Sequence, residues 1–131
     1  MTKKIFIDQT ITTFKKKSIK VDGDKSLSIR FVLFSSLSKG KCSATNLLTS
    51  EDVKSAINII KKLNIKIKLK SKKCEIFGKG LFGYKFKKNL ILDAGNSGTT
   101  VRLLFSLLNN SNHWIKITGD QSLKKRDMSR I

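Results

Sequence analysis

An α/β fold is predicted for this 131-residue chain by three features of its sequence. Val53, Ala56, Ile57, Ile60 and Leu63 recur at i, i+3, i+4, i+7 and i+10, which is the apolar stripe of a helix lying on a core. Directly after them Ile65, Ile67 and Leu69 alternate strictly with Lys66, Lys68 and Lys70, the period of a strand with one buried face. Three short stretches, GDKSLSIR at 23–30, LDAGNSGTTVR at 92–102 and GDQSLKKR at 119–126, read as turns of small, hydroxyl and amide residues that open helices.

The elements follow in order. Residues 3–7 and 17–21 read as short strands. Residues 26–38 read as a helix with Leu27, Phe31 and Phe34 on one face, and a strand around 41–46 comes next. Thr49 with Asp52 offers a capping box for the helix that runs through Leu63. Beyond the alternating strand, residues 71–73 turn the chain into a second strand through Cys74 and Ile76, and Gly78, Gly80 and Gly83 mark a loop. Leu90, Ile91 and Leu92 form a continuous apolar run fit for a buried strand. That strand leads into residues 95–100 and a helix with Val101, Leu104, Phe105 and Leu108 on one side. Trp114, Ile115 and Ile117 make a last strand, ending at Gly119.

The three helix-opening stretches carry the chemistry. In each, an arginine follows a turn residue at i,i+4: Ser26 and Arg30, Gly98 and Arg102, Ser122 and Arg126. On a helix that spacing raises the arginine beside its own N-terminal turn. Unpaired backbone N–H groups and the helix dipole already favour an anion there, and a guanidinium adds a planar, bidentate fork for carboxylate or phosphate. Three such elements imply a ligand with several anionic groups. None is a Walker A loop, which needs GxxxxGK[ST], and GNSG is not a GxGxxG dinucleotide fingerprint.

Composition restricts the alternatives. The net charge of +19 would by itself suggest nucleic acid or an anionic surface. Lysine outnumbers arginine 24 to 4 and is spread along the whole chain, the pattern of solvated lysine-rich faces. Aromatic residues do not interleave with the lysines in sequence, and no RNA-recognition or helix-turn-helix signature occurs, so no nucleic-acid partner is expected. A small basic anion- or nucleic-acid-binding protein is the alternative reading. Cys42 and Cys74 stand 32 apart without metal-ligand spacing and read as reduced core residues of a cytoplasmic protein. No apolar run reaches membrane-spanning length, and no signal-peptide core opens the chain.

In this order, the three stretches resemble the N-terminal part of the 5-enolpyruvylshikimate-3-phosphate (EPSP) synthase family, and LDAGNSGTTVRLLFSLL is the most specific block. The sister enolpyruvyl transferases acting on a UDP-amino sugar lack the GDKS opening and the GNSGTT run. The resemblance implies a two-domain enzyme whose globules are built of βαβαββ units, of which this chain would be an incomplete part, about the first third. It implies that residues 1–22 belong to the other globule and a hinge, and that 23–131 form a partial globule. The reaction implied is enolpyruvyl transfer from phosphoenolpyruvate to the 5-hydroxyl of shikimate 3-phosphate, by a monomer when complete, without metal or organic cofactor.

Residue by residue, Lys25, Ser26 and Arg30 match the family's shikimate 3-phosphate site, although Ser26 also reads as a plain N-cap. Lys25, Asn96, Gly98, Thr99 and Arg126 match its phosphoenolpyruvate site, and Arg102 matches a further family arginine, read either as touching the ligand or as standing behind the site. The acid and base carboxylates of the family fall outside these 131 residues, so the chain alone is expected to be inactive and to need the C-terminal part as partner. Asp22, Ile29 and Asp127 depart from the family pattern. The Asp127 carboxylate, next to the proposed clamp, is expected to compete for Arg126.

Overall fold

The computed structural model describes residues 19–20, 23–109 and 111–129. The expected strand at 3–7 lies outside them, and of 17–21 only Ile19–Lys20 is described, as β1. Then follow α1 (Lys25–Ser35), β2 (Lys39–Thr45), α2 (Glu51–Lys62), β3 (Lys66–Lys70), β4 (Lys73–Lys79), β5 (Leu90–Asp93), α3 (Gly98–Leu108), β6 (Ile115–Thr118) and the single turn α4 (Gln121–Lys124).

The first six elements form one βαβαββ unit. Its sheet runs β1-β2-β4-β3, with β1 parallel to β2 and the other neighbours antiparallel. The next elements begin the same pattern again: β5, α3 and a strand, β6, parallel to β5. α1 packs against α2, and both cover the inner face of the larger sheet with Ile29, Val32, Leu33, Val53, Ala56, Ile60 and Leu63, against Ala44, Cys74 and Ile76. All of these are buried.

The α2 stripe is present as expected. Its ends agree with the helix dipole: Glu51 and Asp52 lie in the first turn, Lys61 and Lys62 in the last. The cap differs from the expected box. Ser50, not Thr49, holds the N-cap position, and no side chain caps the helix. Asp52 is diverted to Lys25, 3.0 Å away.

Other expectations are corrected in detail. On α1 the buried residues are Ser28, Ile29, Val32, Leu33 and Ser35, whereas Leu27 is 56% and Phe34 47% exposed. The small serines allow α1 to sit close to its neighbours, and the bulkier side chains turn outward; Phe31 is half-buried. Gly78 belongs to β4, where a Cβ would collide with the Ser35 and Ser38 carbonyl oxygens under the α1 C-terminus. In β5 Leu92 is buried but Ile91 is half-exposed, because one face of the two-stranded β5–β6 sheet lacks cover among the described residues. Phe105 is likewise half-exposed, and Trp114 lies before β6 at 92% exposure.

Candidate anion-binding site

Each motif opens with a capped helix start, but the caps are not alike. Asp24 Oδ1 accepts from the Leu27 N–H at 2.7 Å, and Asp120 Oδ1 from the Leu123 N–H at 2.8 Å. Ser26 is therefore inside α1 and not its cap. At α3 the cap is neutral: Ser97 Oγ accepts from the Thr100 N–H at 3.2 Å and lies 2.7 Å from Thr100 Oγ1. A cap of this kind contributes about 1 kcal/mol. The carboxylates at α1 and α4 offset the positive helix end, whereas nothing negative caps α3. The first N–H groups of α3, on Gly98 and Thr99, have no acceptor within the helix.

Motif two is held beside motif three by the backbone. Ala94 N–H donates to the Thr118 carbonyl at 2.8 Å, and Asp120 N–H to the Gly95 carbonyl at 3.0 Å. Gly95 turns the chain at φ +56°, and Asp93 Oδ1 accepts its N–H at 2.9 Å. Gly119 has no room for a side chain, since a Cβ would strike the Gly95 carbonyl and Leu123. Two separate loops thereby become one ledge.

On that ledge Arg126 Nη2 donates to Asn96 Oδ1 at 2.7 Å. Its Nη1 lies so near Gly98 that a Cβ there would be 2.9 Å from it. Gly98 does not have a positive φ, so close approach of the guanidinium, and not backbone conformation, is the demand that excludes a side chain. A guanidinium beside the uncompensated positive end of α3 is a local excess of positive charge, which an anion relieves. The arginine does not sit inside its helix, as the i,i+4 spacing suggested: α4 ends at Lys124, and Arg126 lies past it with its N–H on the Leu123 carbonyl at 3.1 Å.

The Asp127 carboxylate is turned to Ser129, accepting from its N–H at 2.8 Å and its hydroxyl at 2.9 Å. Those bonds, the backbone one first, hold its pKa below the ordinary aspartate range, and Arg102 adds to the effect. Its partners are thus Ser129 and the field of Arg102; Arg126 is bonded to Asn96 instead.

The structure brings Asn96, Gly98 and Arg126 together, with the half-buried Thr99 next in α3. It gives the first motif other partners. Lys25 pairs with Asp52, joining the starts of α1 and α2, and Arg30 is exposed. Three contributors were not assigned from sequence: the caps Asp24 and Asp120, and Asp52 as the holder of Lys25. The GD dipeptides before α1 and α4 were the available signal for the caps.

Comparison with known proteins identifies the family and the fold. The family model described as EPSP synthase (3-phosphoshikimate 1-carboxyvinyltransferase) matches residues 10–131. The chain is 44% identical over 118 residues to a 3-phosphoshikimate 1-carboxyvinyltransferase of Thermoanaerobacter sp. (strain X514), covering 90% of this chain and 27% of that protein. It is 40% identical over 116 residues to that of Syntrophomonas wolfei, with 88% and 27% covered. The solved EPSP synthase of Acinetobacter baumannii superposes with a TM-score of 0.77 at 34% identity, over 87% of this chain and 26% of that one. The chain thus spans about a quarter of the length of these relatives, somewhat less than the third expected from sequence. With the GDKS, GNSGTT and GDQS stretches on one fold and two of them joined in one ledge, the chain belongs to the EPSP synthase family.

Proposed function

We propose that this chain provides part of the substrate-binding machinery of a 3-phosphoshikimate 1-carboxyvinyltransferase, with the Asn96–Gly98–Arg126 ledge as the phosphoenolpyruvate clamp. The observation that carries the reading is the guanidinium of Arg126, fixed by Asn96 at 2.7 Å and pressed against the open N-terminus of α3. Thr99 adds a backbone N–H and a hydroxyl to the same anion. Arg102, exposed on the next turn of α3, acts from behind by its charge.

In this reading Lys25, Ser26 and Arg30 receive shikimate 3-phosphate, and Lys25 also reaches phosphoenolpyruvate. The Lys25–Asp52 pair is open to solvent on the lysine side, 56% exposed, so it contributes at most about 1 kcal/mol. A multiply charged substrate can therefore take over the ammonium at little cost, while Asp52 keeps it near α1. In the reaction the 5-hydroxyl gives up its proton to the base as its oxygen bonds to C2 of phosphoenolpyruvate, and C3 takes a proton from the acid as the C2=C3 double bond opens. Loss of a C3 proton then expels phosphate. Binding groups orient the two polyanions and offset their charge, and the family's acid and base carboxylates act from the rest of the enzyme.

Residues 23–131 are read as part of one globule, whose sheet β1 (Ile19–Lys20) also joins, in a cytoplasmic enzyme that is monomeric when complete. The test is a phosphate-release assay with both substrates. The 131-residue chain alone is expected to give no release above a blank without enzyme. Release above that blank would overturn the assignment of the acid and base groups to the remainder.

A further inference from the structure

The face of the larger sheet turned away from α1 and α2 has no role in the clamp. Side chains alternate across a strand. Because Cys74 and Ile76 are buried, Lys73, Glu75 and Phe77 stand on the outer face of β4. The register then sets rows across three strands. Lys41, Phe77 and Lys66 form one row, Ser43, Glu75 and Lys68 the next, and Lys70 stands opposite Lys73 in the third. Lys39 opens the face at the end of β2. The acid in these rows is Glu75, engaged by Lys41 at 3.4 Å. The ammonium groups of Lys66 and Lys68 lie 5.4 and 5.8 Å from the centroid of the half-buried Phe77 ring.

The aromatic residue that sequence order separates from its lysines is thus their immediate neighbour across the strands. Lys70 opposite Lys73 is a like-charge pair that costs the sheet stability on its own, and a bound polyanion would reverse that cost. Lys66, Lys68 and Lys70 line up about 6.6 Å apart along β3, a row of charges that an extended phosphodiester backbone can follow. Phe77 supplies a ring face for an unpaired base. A lipid surface would need several insertable apolar side chains, and Phe77 is the one aromatic among these rows. A duplex hides its base faces. We propose that this outer sheet face binds single-stranded nucleic acid, with Lys66, Lys68, Lys70 and Lys73 on the phosphates and Phe77 stacked on a base. The proposal is independent of the clamp, with which the face shares no residue.

Fluorescence anisotropy of a labelled oligo(dT) of about 20 nucleotides tests it on the whole chain. The chain is expected to bind, with affinity falling steeply as salt rises. Changing Lys66, Lys68 and Lys70 together to Gln should weaken binding about tenfold or more, while the same change at the exposed Lys87, Lys88 and Lys116 should cost less than about threefold. Phe77→Leu should lose about fivefold for oligo(dT) yet leave the binding of inorganic polyphosphate unchanged, and Phe77→Tyr should restore oligo(dT) binding. Thermal unfolding shows whether each variant is folded. Equal losses for the two lysine triples would overturn the proposal. So would a duplex of the same length bound as tightly as the single strand, a folded Phe77→Leu without effect, or tighter binding to phosphatidylserine vesicles.

Discussion

Arg126 reaches back across 30 residues to Asn96, donating through Nη2 to Oδ1 at 2.7 Å. The charge of the clamp and the group that aims it therefore come from different loops, joined by the backbone bonds between Gly95 and Asp120 and between Ala94 and Thr118. Asn96→Ala removes the aiming group and leaves the charge. In a complete enzyme carrying this sequence, it should weaken phosphoenolpyruvate binding about tenfold, the scale of one hydrogen bond to a charged group. Combined with Arg126→Ala it should add little further loss, since the two act as one unit. Full additivity in titration calorimetry would separate them.

Gly98→Ala brings a methyl group within 2.9 Å of Arg126 Nη1. The obstacle is the far end of a flexible side chain, so the fold should lose less than about 1 kcal/mol. The guanidinium must nevertheless move off α3, and phosphoenolpyruvate affinity should fall with little change in melting temperature. A large drop in melting temperature with affinity preserved would show that Gly98 is needed for packing instead.

The two cysteines should behave differently. Cys74 is fully buried, and burial first, then the neighbouring Glu75 charge, pushes its thiol pKa up to about 11 from 9.0. Cys42 is half-buried, with its thiol on Ser38 Oγ at 3.2 Å. A thiol reagent at neutral pH should modify Cys42 and reach Cys74 only in denaturant. Because folding holds the Cys74 proton more tightly, its contribution to stability is full below pH 9 and is lost as pH rises toward about 11. Tyr84, raised by burial, acts in the same direction. Urea unfolding across that window should show falling stability, with a shallower fall in Cys74→Ala. An unchanged slope would remove Cys74 from the account.

Much of this architecture was legible in the sequence because local periods and caps are local physics. The α2 stripe and the strand, turn and helix around LDAGNSGTT stand where their patterns put them. β3 is a strand with Ile67 half-buried, although Leu69, on the face expected to be buried, is 40% exposed. What failed depended on neighbours far along the chain. Leu27, Phe31 and Phe34 were read as one apolar face of α1, yet packing against its neighbours buried the face with Ser28, Ile29, Val32 and Ser35 instead. The partners of Arg126 and Lys25, Asn96 and Asp52, lie 30 and 27 positions away, where spacing arguments do not reach. Phe77 among lysines was invisible for the same reason: the rows exist only once β2, β3 and β4 are in register.

The central claim is that a fixed guanidinium, and not diffuse basicity, holds phosphoenolpyruvate. Lys124 and Lys125 are exposed neighbours of Arg126 with the same charge, which makes them internal controls. In a complete enzyme carrying these residues, the apparent phosphoenolpyruvate affinity should be measured for Arg126→Ala, Lys124→Ala and Lys125→Ala at low and high salt. Arg126→Ala should lose about 1.5–3 kcal/mol, roughly ten- to hundredfold, and largely keep that loss as salt rises. The lysine variants should lose a few-fold at most, and salt should erase it. Equal losses for all three, equally relieved by salt, would contradict the clamp.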